Sequence, residues 1–279
     1  MIRRRIGDEF QLIAQNDHAV FSGFLAQHVG NEQFDKLEAE VVSAIAAHDA
    51  GWPLHDDEPA LNGAGEPLHV FEMPMGLATQ IWSASAQRAE QLGPYAALLV
   101  SLHQLALSDI ARQHHAAKAQ ERAASPRDLF NLNKFQHSQI ERQEALRREL
   151  GMRTDIPLQL GLANPGAGAR EDRLRFHFRM LTLCDRISLE QCCGEILFPC
   201  IEEVYGRAGA AAVSIRTTGE SDESIAVNPW PFDEERLTSE IRCRRVPARH
   251  FESEQEFRDA YFTSEVGVMR VEVRLNSHD

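Results

Sequence analysis

The chain has 279 residues, 43% hydrophobic and 25% charged, the composition of a folded globular protein, and is long enough for one large domain or a main domain with an appendage. Its formal net charge of −13 argues against a general nucleic-acid binder and against an anionic membrane surface. No window approaches the roughly 18 consecutive apolar residues of a membrane span. The basic start Met1-Ile2-Arg3-Arg4-Arg5 runs into Asp8 and Glu9 instead of an apolar signal core, so a cytoplasmic location is expected. Cys184, Cys192, Cys193, Cys200 and Cys243 are an odd set without CxxC spacing, which fits reduced thiols in a cytosolic protein.

Apolar periodicity and breakers predict mostly helix up to about residue 205. Asn16 or Asp17 caps a first helix that ends near Val29 at Gly30-Asn31. A second helix is expected from about Glu32 to Ala50, stopped by Gly51-Trp52-Pro53. Residues 53 to 76, rich in Pro and Gly, read as a long loop of the kind that often serves as a lid. Helices follow at about 77–91, 94–116 and 126–150, the last with Phe130, Leu132, Phe135, Ile140 and Leu146 as its apolar positions. A flexible loop at 161–169 precedes helices over about 170–193 and 197–206. Beyond that point four β-branched or alternating runs, at 212–216, 224–228, 241–246 and 269–275, predict a small antiparallel sheet with one short helix at 254–262. The expected organisation is a helical domain over 1–206 with a small β-rich subdomain over 207–279 packed on it.

The dipeptide His48-Asp49 continues the apolar series Phe34, Leu37, Val41, Ile45, which places both side chains on a buried face. Such a pair is costly to desolvate without a partner, and a metal ion suits imidazole and carboxylate together. Three other helices show the same oddity. His18 shares a face with Phe21, Leu25 and Val29; His103 falls on the row of Tyr95 and Leu99; Asp185 continues Leu174, Phe178 and Leu181. Four helices that each bury an imidazole or carboxylate imply convergence on one centre. His114-His115, in a polar stretch, reads as a surface feature.

The order His18, His48-Asp49, His103, Asp185 resembles the ligand order of HD-domain proteins, all-helical metal-dependent enzymes, over about residues 10 to 205. The segments around His18, His48-Asp49-Ala50-Gly51-Trp52, Asp56-Asp57-Glu58-Pro59, Leu98 to His103 and Asp185 to Leu189, with Asn228-Pro229-Trp230-Pro231-Phe232, more narrowly resemble an uncharacterised bacterial family known only as a domain of unknown function. The broader resemblance implies a mainly α fold, an HD-domain-like helical bundle with a small C-terminal antiparallel sheet. It also implies His18, His48, Asp49 and Asp185 as metal ligands, with His103 placed to serve a second metal. The two-metal pattern has two extra histidines in that interval, so one divalent ion (Fe, Mn, Ni, Zn or Mg) is expected before two.

A metal-activated water acting on a nucleotide or other small phosphate ester is the reaction this implies, with Asp49 and His103 as the catalytic pair. Trp52, Asp56, Lys134, Arg142 and Arg186 are the candidate substrate contacts, and Gln15 and Ser22 the candidate supports of the ligands. A phosphorylated small molecule is therefore the expected partner, with neither nucleic acid nor membrane. The alternatives are an HD-type di-iron oxygenase and a non-catalytic metal-binding sensor or scaffold. For the β tail, a cover for the site, a homodimer contact and a simple brace for the helices stay open.

Overall fold

The computed structural model describes residues 1–118, 125–154, 168–221 and 223–276; the side chains of 114–118 and 220 lie outside that description. About half the chain is helical, but the rest forms a seven-stranded mixed sheet curled into a half-barrel. The molecule is therefore an α/β fold, which corrects the expectation of a mainly α, HD-like bundle with a small antiparallel appendage. In sequence the strands are β1 (Ile2–Ile6), β2 (Glu9–Ile13), β3 (Cys200–Tyr205), β4 (Ala212–Ser221), β5 (Ser224–Asn228), β6 (Arg236–Pro247) and β7 (Val266–Leu275). They lie in the order β1-β2-β6-β7-β5-β4-β3. Every neighbouring pair is antiparallel except β5 and β7, which run parallel, so the tail sheet is mixed. Because β1 and β2 pair onto β6, hydrogen bonding crosses the expected boundary at residue 206.

The strand at the N-terminus comes from a hairpin hidden in basic residues. In Ile2-Arg3-Arg4-Arg5-Ile6, Ile2 and Arg4 are buried while Arg5 is exposed, the alternation of a strand. At β3 a bulge produces the opposite illusion. Register shifts between Ile201 and Val204, and Glu203 sits at φ 57°, so the buried Ile201, Val204 and Tyr205 fall at helical spacing in a strand. The helix expected at 197–206 is this bulged strand.

The helices are α1 (Gln15–Gln27), α2 (Ala39–Ala46), α3 (Pro53–Asp56), α4 (Met75–Arg88), α5 (Pro94–Lys118), α6 (Pro126–Glu149), α7 (Ala169–Cys193) and α8 (Glu254–Thr263). α2 is much shorter than expected, so His48 and Asp49 stand in the turn that follows it and not on the helix itself. The expected lid at 53–76 is partly structured by α3 and a 3₁₀ turn at Val70–Glu72. On α6, Leu132, Phe135 and Leu146 are buried, but Phe130 and Ile140 are exposed. The loop expected at 161–169 falls largely outside the described residues.

α1 and α7 pack on the sheet, α2 and α5 pack on them, and α4 and α6 cover α5. One apolar core runs from Ile2 and Ile13 through α1, α2, α5 and α7 to the inward residues of β3 to β7. A second patch under α8 takes the other face of β2, Phe10 and Leu12, with Val246 and Phe257. The Asn228-Pro229-Trp230-Pro231-Phe232 segment clasps the end of α1. Gly30 N–H donates to the Pro231 carbonyl at 3.0 Å, and Asp233 N–H to the His28 carbonyl at 2.8 Å. Among the described residues no helix is long and apolar enough to cross a membrane.

Candidate metal centre

Four elements bring five ionisable side chains together in the interior. His18 comes from the first turn of α1, His48 and Asp49 from the turn after α2, His103 from the middle of α5 and Asp185 from the middle of α7. All five are buried, Asp185 the most open of them at 8% exposure. The turn is held against α4 by close approach. Gly51 N–H donates to Ser85 Oγ at 2.9 Å, and a Cβ on Gly51 would stand 2.2 Å from the Ile81 carbonyl oxygen. Gln104 Nε2 fastens the same turn from α5 by donating to the His48 carbonyl at 2.8 Å.

The imidazoles are oriented so that the Nδ1 atoms of His18 and His48 are occupied and their Nε2 atoms point inward. His48 Nδ1 lies 2.7 Å from the Ile45 carbonyl oxygen, which can only accept, so Nδ1 carries the proton. Ser188 Oγ donates to the His18 carbonyl at 2.9 Å and lies 2.7 Å from His18 Nδ1, so it accepts the Nδ1 proton there too. In that tautomer a neutral ring would present its Nε2 lone pair to the carboxylate oxygens. His18 Nε2 is 3.0 Å and His48 Nε2 3.3 Å from Asp185 Oδ1, His48 Nε2 is 3.7 Å from Asp49 Oδ2, and His103 Nε2 is 3.8 Å from Asp185 Oδ2. His48 Nε2 is fully buried and makes no hydrogen bond of good geometry. Acceptors facing acceptors in a dry interior require a positive charge between them, either protons or a cation.

The protonation states reflect that demand. Burial drives His48 toward neutrality, but the charge of Asp49 and then Asp185 override it and push its pKa up to about 9. Burial dominates at His103 and pulls it down to about 3. At Asp49 burial raises the pKa against the neighbouring imidazoles. At Asp185 burial acts upward as well, but contacts with His18 and His48 hold it well below the carboxylate range.

Ligand atoms group into two overlapping sets, His18-His48-Asp49 and His48-His103-Asp185, each with its atoms within 4.8 Å of one another. The donor set is one that Zn, Mn, Ni or Fe accepts, and the orphaned His48 Nε2 fits a ligand in waiting. A third group, His28-Asp233-Glu234, is half exposed and lies at the far end of α1.

The expected supports are in contact. Gln15 Nε2 donates to Asp49 Oδ2 at 3.3 Å, and Ser22 Oγ donates to the His18 carbonyl at 3.2 Å. Ser188 and Gln104 do the same work and escape sequence reasoning, because a serine or glutamine inside an apolar helix carries no signature of its own. The expected substrate contacts separate. Arg186 stays beside the centre, its guanidinium over the Phe198 ring at 4.7 Å and its charge felt at His103. Trp52 is buried edge-on to His55 at 6.0 Å, a packing role. Asp56 is consumed by structure. Its Oδ1 takes the Met1 amino group at 3.0 Å and His55 Nδ1 at 3.1 Å, and its Oδ2 the Gln15 N–H at 2.9 Å. On α6, Lys134 is exposed and Arg142 pairs with Glu90. The side chains of His114 and His115 lie outside the described residues.

The chain belongs to the family described as protein of unknown function DUF3891, whose profile matches residues 1–248. No curated protein and no solved structure is similar to it.

Proposed function

We propose that the protein is a metal-dependent phosphohydrolase acting on a nucleotide or other small phosphate ester. The observation that carries this reading is the geometry at His18, His48 and Asp185, where ring Nε2 atoms face carboxylate oxygens, with Asp49 completing a donor set that a divalent cation satisfies. The ligand order is the one that the HD-domain resemblance implies, and only that order is retained, since the surrounding fold is not a helical bundle. His18, His48, Asp49 and Asp185 would hold the ion, and His103, kept neutral by burial, is free to join them or to accept a hydrogen bond. A cation there supplies Lewis acidity toward a phosphate oxygen and toward water. Gln15 orients Asp49, Ser188 sets the tautomer of His18, and the Ile45 carbonyl sets that of His48. Arg186 is the cation best placed for a phosphate that approaches Asp185, the most open ligand.

Elemental analysis of the purified protein beside His48→Ala and Asp49→Ala, with turnover of p-nitrophenyl phosphate and of its bis-ester, tests the reading. Stoichiometric Mn, Ni, Zn or Mg with phosphatase activity that both variants abolish is the expected result. Two irons per chain without ester hydrolysis would transfer the assignment to an oxygenase. No metal in a folded protein would remove the enzyme reading altogether.

A further inference from the structure

One residue along α1 from the centre lies a cavity of about 240 Å³, bounded by the start of α1, by α3, by β6 and by the end of α8. Its walls carry opposite charges. Asp17 and Asp57 stand on the helical side, and Arg242 and Arg244 on the strand side. Arg244 is already engaged, donating to the Ser264 carbonyl with its guanidinium 5.2 Å from the Tyr261 ring centre. Asp56, also in the wall, is saturated by the contacts given above.

The other three charges are not saturated. Among the described residues Asp17, Asp57 and Arg242 make no side-chain hydrogen bond and no ion pair. Asp17 is half buried, and the charge of Arg242 is felt at its carboxyl group. The two side chains form no salt bridge with each other. Here they flank an open space instead, and Tyr261 supplies an apolar side to it. Gln15 links the wall of this space to the metal centre, since its N–H meets Asp56 and its side chain meets Asp49.

We propose that this cavity binds a small zwitterion, its ammonium on Asp17 and Asp57 and its anionic oxyacid group on Arg242. The two charges of the ligand replace the salt bridge that the walls do not form, and its short carbon chain lies along Tyr261. An amine without the anionic group, or an acid without the amine, leaves one wall uncompensated and binds more weakly. Removing either charge-assisted interaction corresponds to at least about a tenfold change in affinity.

The test is calorimetric titration of the metal-free protein with β-alanine, 4-aminobutyrate, 6-aminohexanoate and O-phosphoethanolamine, beside propylamine and propionate. The expected result is saturable one-site binding of at least one zwitterion, at least about tenfold tighter than either single-charge control. A preference for O-phosphoethanolamine would identify the anionic group as phosphate, and a preference for the amino acids would identify it as carboxylate. Arg242→Gln and Asp17→Asn, both on solvent-accessible side chains, should each weaken binding by about tenfold with an unchanged unfolding temperature. Equal affinity for the controls, undiminished binding in both folded variants, or no saturable heat with any zwitterion would each overturn the proposal. Working without metal keeps the outcome independent of the phosphohydrolase reading.

Discussion

Two polar layers are built by the same pair of helices, and only one of them is a candidate site. Tyr95 and His103 are eight residues apart on α5, and His177 and Asp185 eight apart on α7, so the layers are separated by about 12 Å along the helix axes. In the first layer every group finds a complementary partner. Tyr95 Oη lies 2.6 Å from His177 Nδ1, and His177 Nε2 lies 3.1 Å from Glu38 Oε2, so a hydroxyl donates to the ring and the ring donates to a carboxylate. In the second layer the rings and carboxylates aim acceptors at one another. Burial of histidine is common to both; mismatch of donors and acceptors belongs to one. The mismatch, not the burial, is what makes the second layer a candidate metal centre and the first a satisfied core network.

The comparison breaks most readily at Asp185, which three imidazoles face. Asp185→Asn keeps the shape but removes the charge, and its amide would also compete for Nε2 lone pairs. Mn²⁺ affinity measured by calorimetry should fall by more than about 100-fold, beyond the range seen when only a group supporting a ligand is removed. Tyr95→Phe in the other layer should leave Mn²⁺ affinity unchanged. Equal decreases in the two variants would mean that the layers do not differ in kind.

The second-largest effect is on pH dependence, and it isolates the satisfied layer. Burial, followed by the charge of Arg173, pulls His177 down to about 4, against an ordinary value near 6.5. Below pH 6.5 the unfolded chain takes up a proton that the folded chain refuses, so stability falls as pH drops from 6.5 toward 4. The contribution is on the order of 3 kcal/mol once both forms would be protonated. His69 and His103 act in the same direction, so the measurement is the difference between the parent and His177→Gln in urea unfolding across that range. The variant should show a shallower acid limb; parallel limbs would place the cause elsewhere.

How much of this was legible in the sequence follows from what each signal depends on. The centre was legible because imidazoles and carboxylates break an otherwise apolar period on α1, α5 and α7, and a polar residue in an apolar row needs no tertiary information to stand out. The same period points to His48 and Asp49 for an incomplete reason, since α2 ends at Ala46 and a turn presents them. The satisfied layer is not legible in the sequence although His177 is just as buried, because its partner Glu38 precedes α2 and nothing in the sequence pairs them. The sheet was half legible. β4 to β7 alternate openly, but β1 is masked by three arginines and β3 by its bulge, and pairing across more than two hundred residues leaves no local trace. Arg242 and Asp17 meet over the cavity only through that long-range pairing.

The smallest effect is expected at Ser188, a residue outside the proposed ligand set. Ser188 Oγ holds the Nδ1 proton of His18 while its own hydrogen goes to the His18 carbonyl, so one hydroxyl determines which ring nitrogen faces Asp185. In Ser188→Ala the ring is free to carry its proton on Nε2, where Asp185 would accept it at 3.0 Å and close the mismatch with a proton instead of a cation. Mn²⁺ affinity should therefore fall by about 10- to 100-fold, less than for removal of a ligand. Ser188→Thr, which restores the hydroxyl, should recover most of it where the extra methyl is tolerated. The two effects of Ser188→Ala oppose each other in the metal-free protein, because removing the hydroxyl destabilises while the new ring-to-carboxylate hydrogen bond compensates. Thermal unfolding without metal should thus change far less than the metal-induced increase in unfolding temperature. A serine that only filled space would lower both by the same amount.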